Sequence, residues 1–109
     1  MTVYLIAEVK VTDPAWIADY AAKVHDIAAT YNGRYLSRSG NIETLEGEKT
    51  DETLIALISF PTRADALAFA NAPEYAPFAK ARQQGSVSHF RLIDDTDLAG
   101  AIPYLGKAG

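Results

Sequence analysis

"TVYLIAEVKVTDP", residues 2–14, decides how the rest of the chain is read. Val3, Leu5, Ala7, Val9 and Val11 fall on one side, and Tyr4, Ile6, Glu8 and Lys10 on the other. That two-residue period makes a strand with one wholly aliphatic face. Asp13 then stands as an N-cap, with Pro14 at the first helical position, where its missing donor is not needed. Beyond it the period changes. Ile17, Tyr20, Ala21, Val24, Ala28 and Tyr31 recur three and four apart, which predicts a helix burying that stripe. Asn32 and Gly33 end it, since both tolerate the left-handed conformation.

Working outward, "GRYLSRSG" (33–40) opens a second strand. In a regular strand Arg34, Leu36 and Arg38 share one face. Residues 34–46 read as one long strand broken near 39–41 by a bulge or bend. "EGEKTD" (46–51) is the turn, and "TLIALISF" (53–60) is the returning strand. Thr62 with Asp65 forms a capping-box-like start to a helix carrying Ala66, Leu67, Phe69 and Ala70. "NAPEYAP" (71–77) interrupts it, "FAKARQQ" resumes it up to Gly85, and "SVSHFRLID" (86–94) is the last strand. The order β-α-β-β-α-β is the ferredoxin-like arrangement of the α+β class, with both helices on one face of a four-stranded antiparallel sheet. Residues 1–95 form this domain. Residues 96–109 are read as a tail that docks through Leu98, Ile102, Tyr104 and Leu105.

The totals narrow the function classes. A chain of 109 residues supports one core. A net charge of −4 argues against a nucleic-acid partner. With no cysteine there is no disulfide, thiolate nucleophile or zinc–thiolate site, which fits the cytoplasm. The N-terminal apolar run is broken by Glu8 and Lys10, so it reads as neither signal peptide nor membrane span. With two histidines, no glycine-rich phosphate loop and no Gly-x-Ser-x-Gly, neither a metal nor a cofactor is expected.

The sheet face without helices carries the functional question. Tyr4, Ile6 and Glu8 lie on it from the first strand, and Ile55, Leu57 and Ser59 from the third. Arg34, Leu36 and Arg38 are assigned there too, because two unpaired arginines fit poorly beneath helices. On the last strand either Val87, His89, Arg91 and Ile93 or Ser88, Phe90 and Leu92 face outward. So apolar a face exceeds the roughly 300–600 Å² that monomers leave exposed. A second copy related by a two-fold axis is the economical cover, and two such sheets enclose a lumen suited to a small molecule.

"YLIAEVKVTDP" (4–14), "YNGRYLSRSG" (31–40), "LEGE" (45–48), "ISFPT" (58–62) and "APEYAPFAKAR" (72–82) together resemble the domain of unknown function 1330 family. The likeness spans about residues 3–94 and implies a ferredoxin-like fold paired face to face, in the dimeric α/β-barrel superfamily. That superfamily includes cofactor-independent monooxygenases, haem-degrading enzymes, dehydratases and lactone isomerases, and fold does not fix function. The family pattern falls on Tyr31, Gly33, Arg34, Arg38, Gly40, Glu46, Gly47, Pro61, Tyr75 and Arg82. Asn32 departs from it where a second glycine is common, and Phe69 where a tryptophan is frequent.

Arg38 is the first candidate, as a guanidinium that holds a carboxylate or enolate, or else as half of an ion pair fixing the dimer. Tyr4, Glu8 and Tyr75 join it as candidate ligand contacts, Tyr75 alternatively anchoring the helix break to the core. His25 and His89 are the candidate acid–base groups. Trp16 reads as a cover over the sheet edge, and Arg82 as a complement to a helix dipole. The leading expectation is a homodimer binding a small planar or anionic molecule in the inter-sheet lumen. The alternatives are a cofactor-independent monooxygenase- or isomerase-like enzyme and a structural or regulatory dimer without ligand.

Overall fold

The computed structural model describes residues 1–101. Strand β1 (Val3–Val11) is followed by a short 3-10 turn (Pro14–Trp16) and helix α1 (Ile17–Thr30). Strands β2 (Arg34–Ser39) and β3 (Leu54–Phe60), helices α2 (Arg63–Ala70) and α3 (Ala76–Gln84), strand β4 (Ser86–Asp94) and the four-residue helix α4 (Leu98–Ala101) complete the order. The sheet runs β2-β3-β1-β4 with every neighbouring pair antiparallel. This is the ferredoxin-like α+β fold, with β1 and β3 at the centre.

Local chemistry sets the boundaries. The Asp13 carboxylate accepts from the Ala15 N–H at 3.0 Å, and Thr62 Oγ1 accepts from the Asp65 N–H at 3.1 Å. Of the Asn32–Gly33 pair that ends α1, only Asn32 takes a positive φ, of 66°. Gly33 serves a different need from the one its sequence suggests. A Cβ there would lie 2.6 Å from the Phe60 ring and 2.9 Å from the Ala28 carbonyl, so a bare backbone is what lets β2 leave the helix so closely.

The aliphatic face of β1 is buried as expected, and Ala56, Ile58 and Phe60 of β3 lie beside it. Val24 and Ala28 of α1 and Ala66 and Phe69 of α2 pack on this layer, with Phe69 stacked on Tyr75 at 4.4 Å between centroids. Ile17, expected in the buried stripe, is more than a third exposed because the first turn of α1 overhangs open space.

Strand β2 departs from its expected form in two ways. It ends at Ser39, and residues 40–53 contain no strand at all. Its irregularity lies earlier than residues 39–41. Arg34 pairs with Ser59 and Tyr35 with Ile58, but Ser37 pairs with Leu57 and Arg38 with Ala56. Leu36 is the surplus residue of a β-bulge. One extra residue reverses every side chain beyond it.

On β4 the register settles the open choice. Glu8 lies opposite His89, Ile6 opposite Arg91 and Tyr4 opposite Ile93, so the set with Val87, His89, Arg91 and Ile93 faces outward. Within the tail, Leu98 is exposed, and Ile102, Tyr104 and Leu105 lie outside the described residues. Among the described residues no helix is long and apolar enough to cross a membrane.

Candidate functional site

Between the sheet and the helices lies a cavity of about 470 Å³. Small side chains make it. Ala7 and Ala56 are neighbours across the sheet, and Ala21 stands on the α1 side, while larger residues elsewhere hold the layers apart. Val9 and Ile58 extend the floor, Trp16, Ile17 and Tyr20 form the roof, and Tyr35, Phe69 and Phe90 line the sides. Exposed Arg38 and Thr53 mark its mouth, and buried Phe69 and Arg82 its interior.

Its polar groups are few, and most are already occupied. The Trp16 indole N–H donates to the Gly85 carbonyl at 3.1 Å. Thr53 Oγ1 donates to the Val9 carbonyl at 3.2 Å and accepts from the Val11 N–H at 3.0 Å. Tyr20 and Tyr75 share a hydrogen bond of 2.6 Å between hydroxyls. Burial pushes the Tyr20 phenol far above its ordinary range and Tyr35 up to about 12, so both stay protonated at neutral pH.

Two arginines complete the lining. Arg38 lies with its Cζ 5.1 Å from the centre of the Tyr35 ring. Arg82 is only 6 % exposed, with its Cζ 4.0 Å from the centre of the Phe90 ring. Its Nη1 donates to Ser88 Oγ, while its buried Nε has no partner. None of the ion pairs among the described residues involves Arg82. Among the described residues the lining holds no Asp, Glu or His.

The sequence-derived candidates separate. Arg38 does not share the bare face with Arg34; the bulge at Leu36 turns it to the helix side, at the mouth of the cavity. Tyr75 is in the core, where its hydroxyl meets Tyr20. Tyr4 and Glu8 lie on the opposite face of the sheet, Glu8 paired with Arg91 at 3.1 Å. The Asp95 carboxylate beside Tyr4 holds its phenol above the ordinary value. His89 stands on that outer face across from Glu8. His25 is exposed on α1, its Nδ1 3.3 Å from the Ala21 carbonyl oxygen and its Nε2 3.3 Å from Asp26 Oδ1. The cavity therefore gathers Arg38 with Arg82, Tyr20 and Trp16, residues first read as dipole complement, core stripe and edge cover. One signal marked Arg82. Tyr75, Ala79 and Arg82 are spaced four and three apart, which places the arginine on the buried stripe of α3.

Residues 2–96 match the model of a family described as domain of unknown function (DUF1330). The chain belongs to that family. Its fold is the ferredoxin-like α+β fold of the solved structures it resembles. No curated protein matches the sequence. Among solved structures, a protein of unknown function from Rhodopseudomonas palustris is similar with a TM-score of 0.72 and 14% identity, over 88% of this chain and 83% of that one. SnoaB, a cofactor-independent oxygenase from Streptomyces nogalater, is similar with a TM-score of 0.63 and 16% identity, over 88% and 94%. An uncharacterised NIPSNAP domain protein from Burkholderia xenovorans follows with a TM-score of 0.55 and 12% identity, over 88% and 95%. At these identities the likeness is one of fold.

Proposed function

We propose that this DUF1330 protein binds a small, largely apolar molecule in the cavity between its sheet and its helices. The observation that carries this reading is the cavity itself. Its volume of about 470 Å³ falls in the range of ligand pockets, and its walls are aliphatic and aromatic with a few polar groups. The site is thus proposed on the helix side of the sheet, across from the inter-sheet lumen that the sequence suggested. A homodimer joined through the bare faces, in the cytoplasm, belongs to the same reading.

The test is a thermal-shift series of mono- and bicyclic aromatic compounds against wild type and Ala56→Leu, which fills the cavity floor. At least one compound should stabilise the wild type and lose its effect on the variant. If none stabilises the wild type, or the variant responds equally, the reading is wrong.

A second reading makes the bound molecule a substrate of a cofactor-independent oxygenase, and the likeness in fold to SnoaB supports it. His25 and His89 are both remote from the cavity. The described lining offers no carboxylate or imidazole, and burial holds its Tyr20 and Tyr35 phenols protonated, so on this reading the substrate enters already ionised.

A further inference from the structure

We infer that the molecule held in the cavity is an acid, and that Arg82 binds its planar oxyanion. This rests on the cavity reading above and names the class of ligand.

The first ground is the state of Arg82. A guanidinium taken out of water is expensive unless charge and hydrogen bonds replace the solvent. Among the described residues it has one hydroxyl, Ser88 Oγ, and the face of Phe90, with no carboxylate and no partner for its Nε. Its position in the last turn of α3 suits a helix dipole, but a dipole is served equally well by an arginine that extends into water. This one lines the cavity. A carboxylate presented to a guanidinium edge forms paired, charge-assisted bonds, and Nε is the kind of donor such a pair employs.

The second ground is what else lines the space. Arg82 and Arg38 offer only donors. The indole N–H of Trp16 and the hydroxyl of Thr53 are spent on backbone. Tyr20 and Tyr75 share one hydrogen bond, which uses one of their two protons. When Tyr75 donates, the Tyr20 proton is free to turn into the cavity. With no Asp, Glu or His among the described lining residues, a neutral ligand rich in donors would find few acceptors, whereas an oxyanion would find donors and an uncompensated positive charge. The missing base also implies that the ligand arrives already ionised or becomes so under the field of the arginines.

Two probes of the same shape test this, 2-naphthoate and 2-naphthamide, titrated calorimetrically into wild type, Arg82→Met and Arg82→Lys. Wild type should prefer the acid by about tenfold or more, the scale of a hydrogen bond to a charged group. Arg82→Met should lose that preference while melting no lower than wild type, because it removes a buried charge without a counter-ion. Arg82→Lys should keep part of it. Equal binding of both probes to wild type, or a preference that persists in Arg82→Met, overturns the assignment and leaves the cavity reading intact. So does a marked fall in the melting temperature of Arg82→Met, which would make Arg82 a scaffold residue. Failure of both probes to bind wild type counts against the cavity reading as well.

Discussion

Arg34 and Arg38, four residues apart on one strand, point to opposite faces of the sheet, because Leu36 between them is surplus to the pairing. Arg34 stays with Ser59 on the bare side, and Arg38 joins Ala56 over the cavity. A regular strand would have placed both outside.

The Arg38 side chain is exposed at the cavity mouth, where solvent and salt screen its charge. Arg38→Ala is therefore expected to weaken binding of an acidic probe by only about two- to fivefold, an effect on the scale of exposed ion pairs. The loss should shrink as salt is raised. A complete loss at high salt would make Arg38 the principal anchor.

Tyr20 and Tyr75 form one hydrogen-bonded unit. Either single change to Phe leaves the other hydroxyl without its partner and is expected to destabilise by roughly 1 kcal/mol, read from urea unfolding. The double variant should lose less than the sum of the two. Strict additivity would mean that the two hydroxyls act independently.

The buried phenols also set an alkaline limit. An unfolded tyrosine ionises near pH 10, and Tyr35 in the folded chain near 12. Below about pH 10 both states hold the proton and the stabilisation is complete. As pH rises from there through about 12 the unfolded chain ionises first, so stability falls across that window. Urea midpoints against pH should show the fall, and Tyr35→Phe should reduce it. An unchanged profile in Tyr35→Phe would show that another group governs the limit.

The bare face invites a charge. Ile6, Leu57 and Ile55 lie next to one another on it, with Ile93 beside Tyr4. Leu57→Glu should convert a dimer into a folded monomer, measured by light scattering at micromolar protein. A wild type that scatters as a single chain would remove the proposed pairing.

Much of the architecture was legible because it is periodic. The alternation of β1, the capping residues Asp13 and Thr62, and the three–four spacing of Val24 and Ala28 each announce themselves locally. The site was less legible, for two reasons. A bulge is a matter of count against a partner strand, and nothing in "RYLSRS" marks Leu36 as the extra residue. A cavity is the sum of small residues from distant segments, here Ala7, Ala21 and Ala56. Arg82 was within reach through its spacing from Ala79, but a helix-end arginine already had an ordinary explanation.

The Gly85 carbonyl receives the N–H groups of Thr12 at 2.9 Å and Asp13 at 3.0 Å, as well as the Trp16 indole. A Cβ on Gly85 would lie 2.3 Å from that indole, so the contact allows no side chain. One oxygen thus acts as a rivet at that corner of the chamber, and a guest departing beneath Trp16 would have to shear it. The gangway is at the other corner, past Arg38, where traffic displaces only solvent and a wet guanidinium.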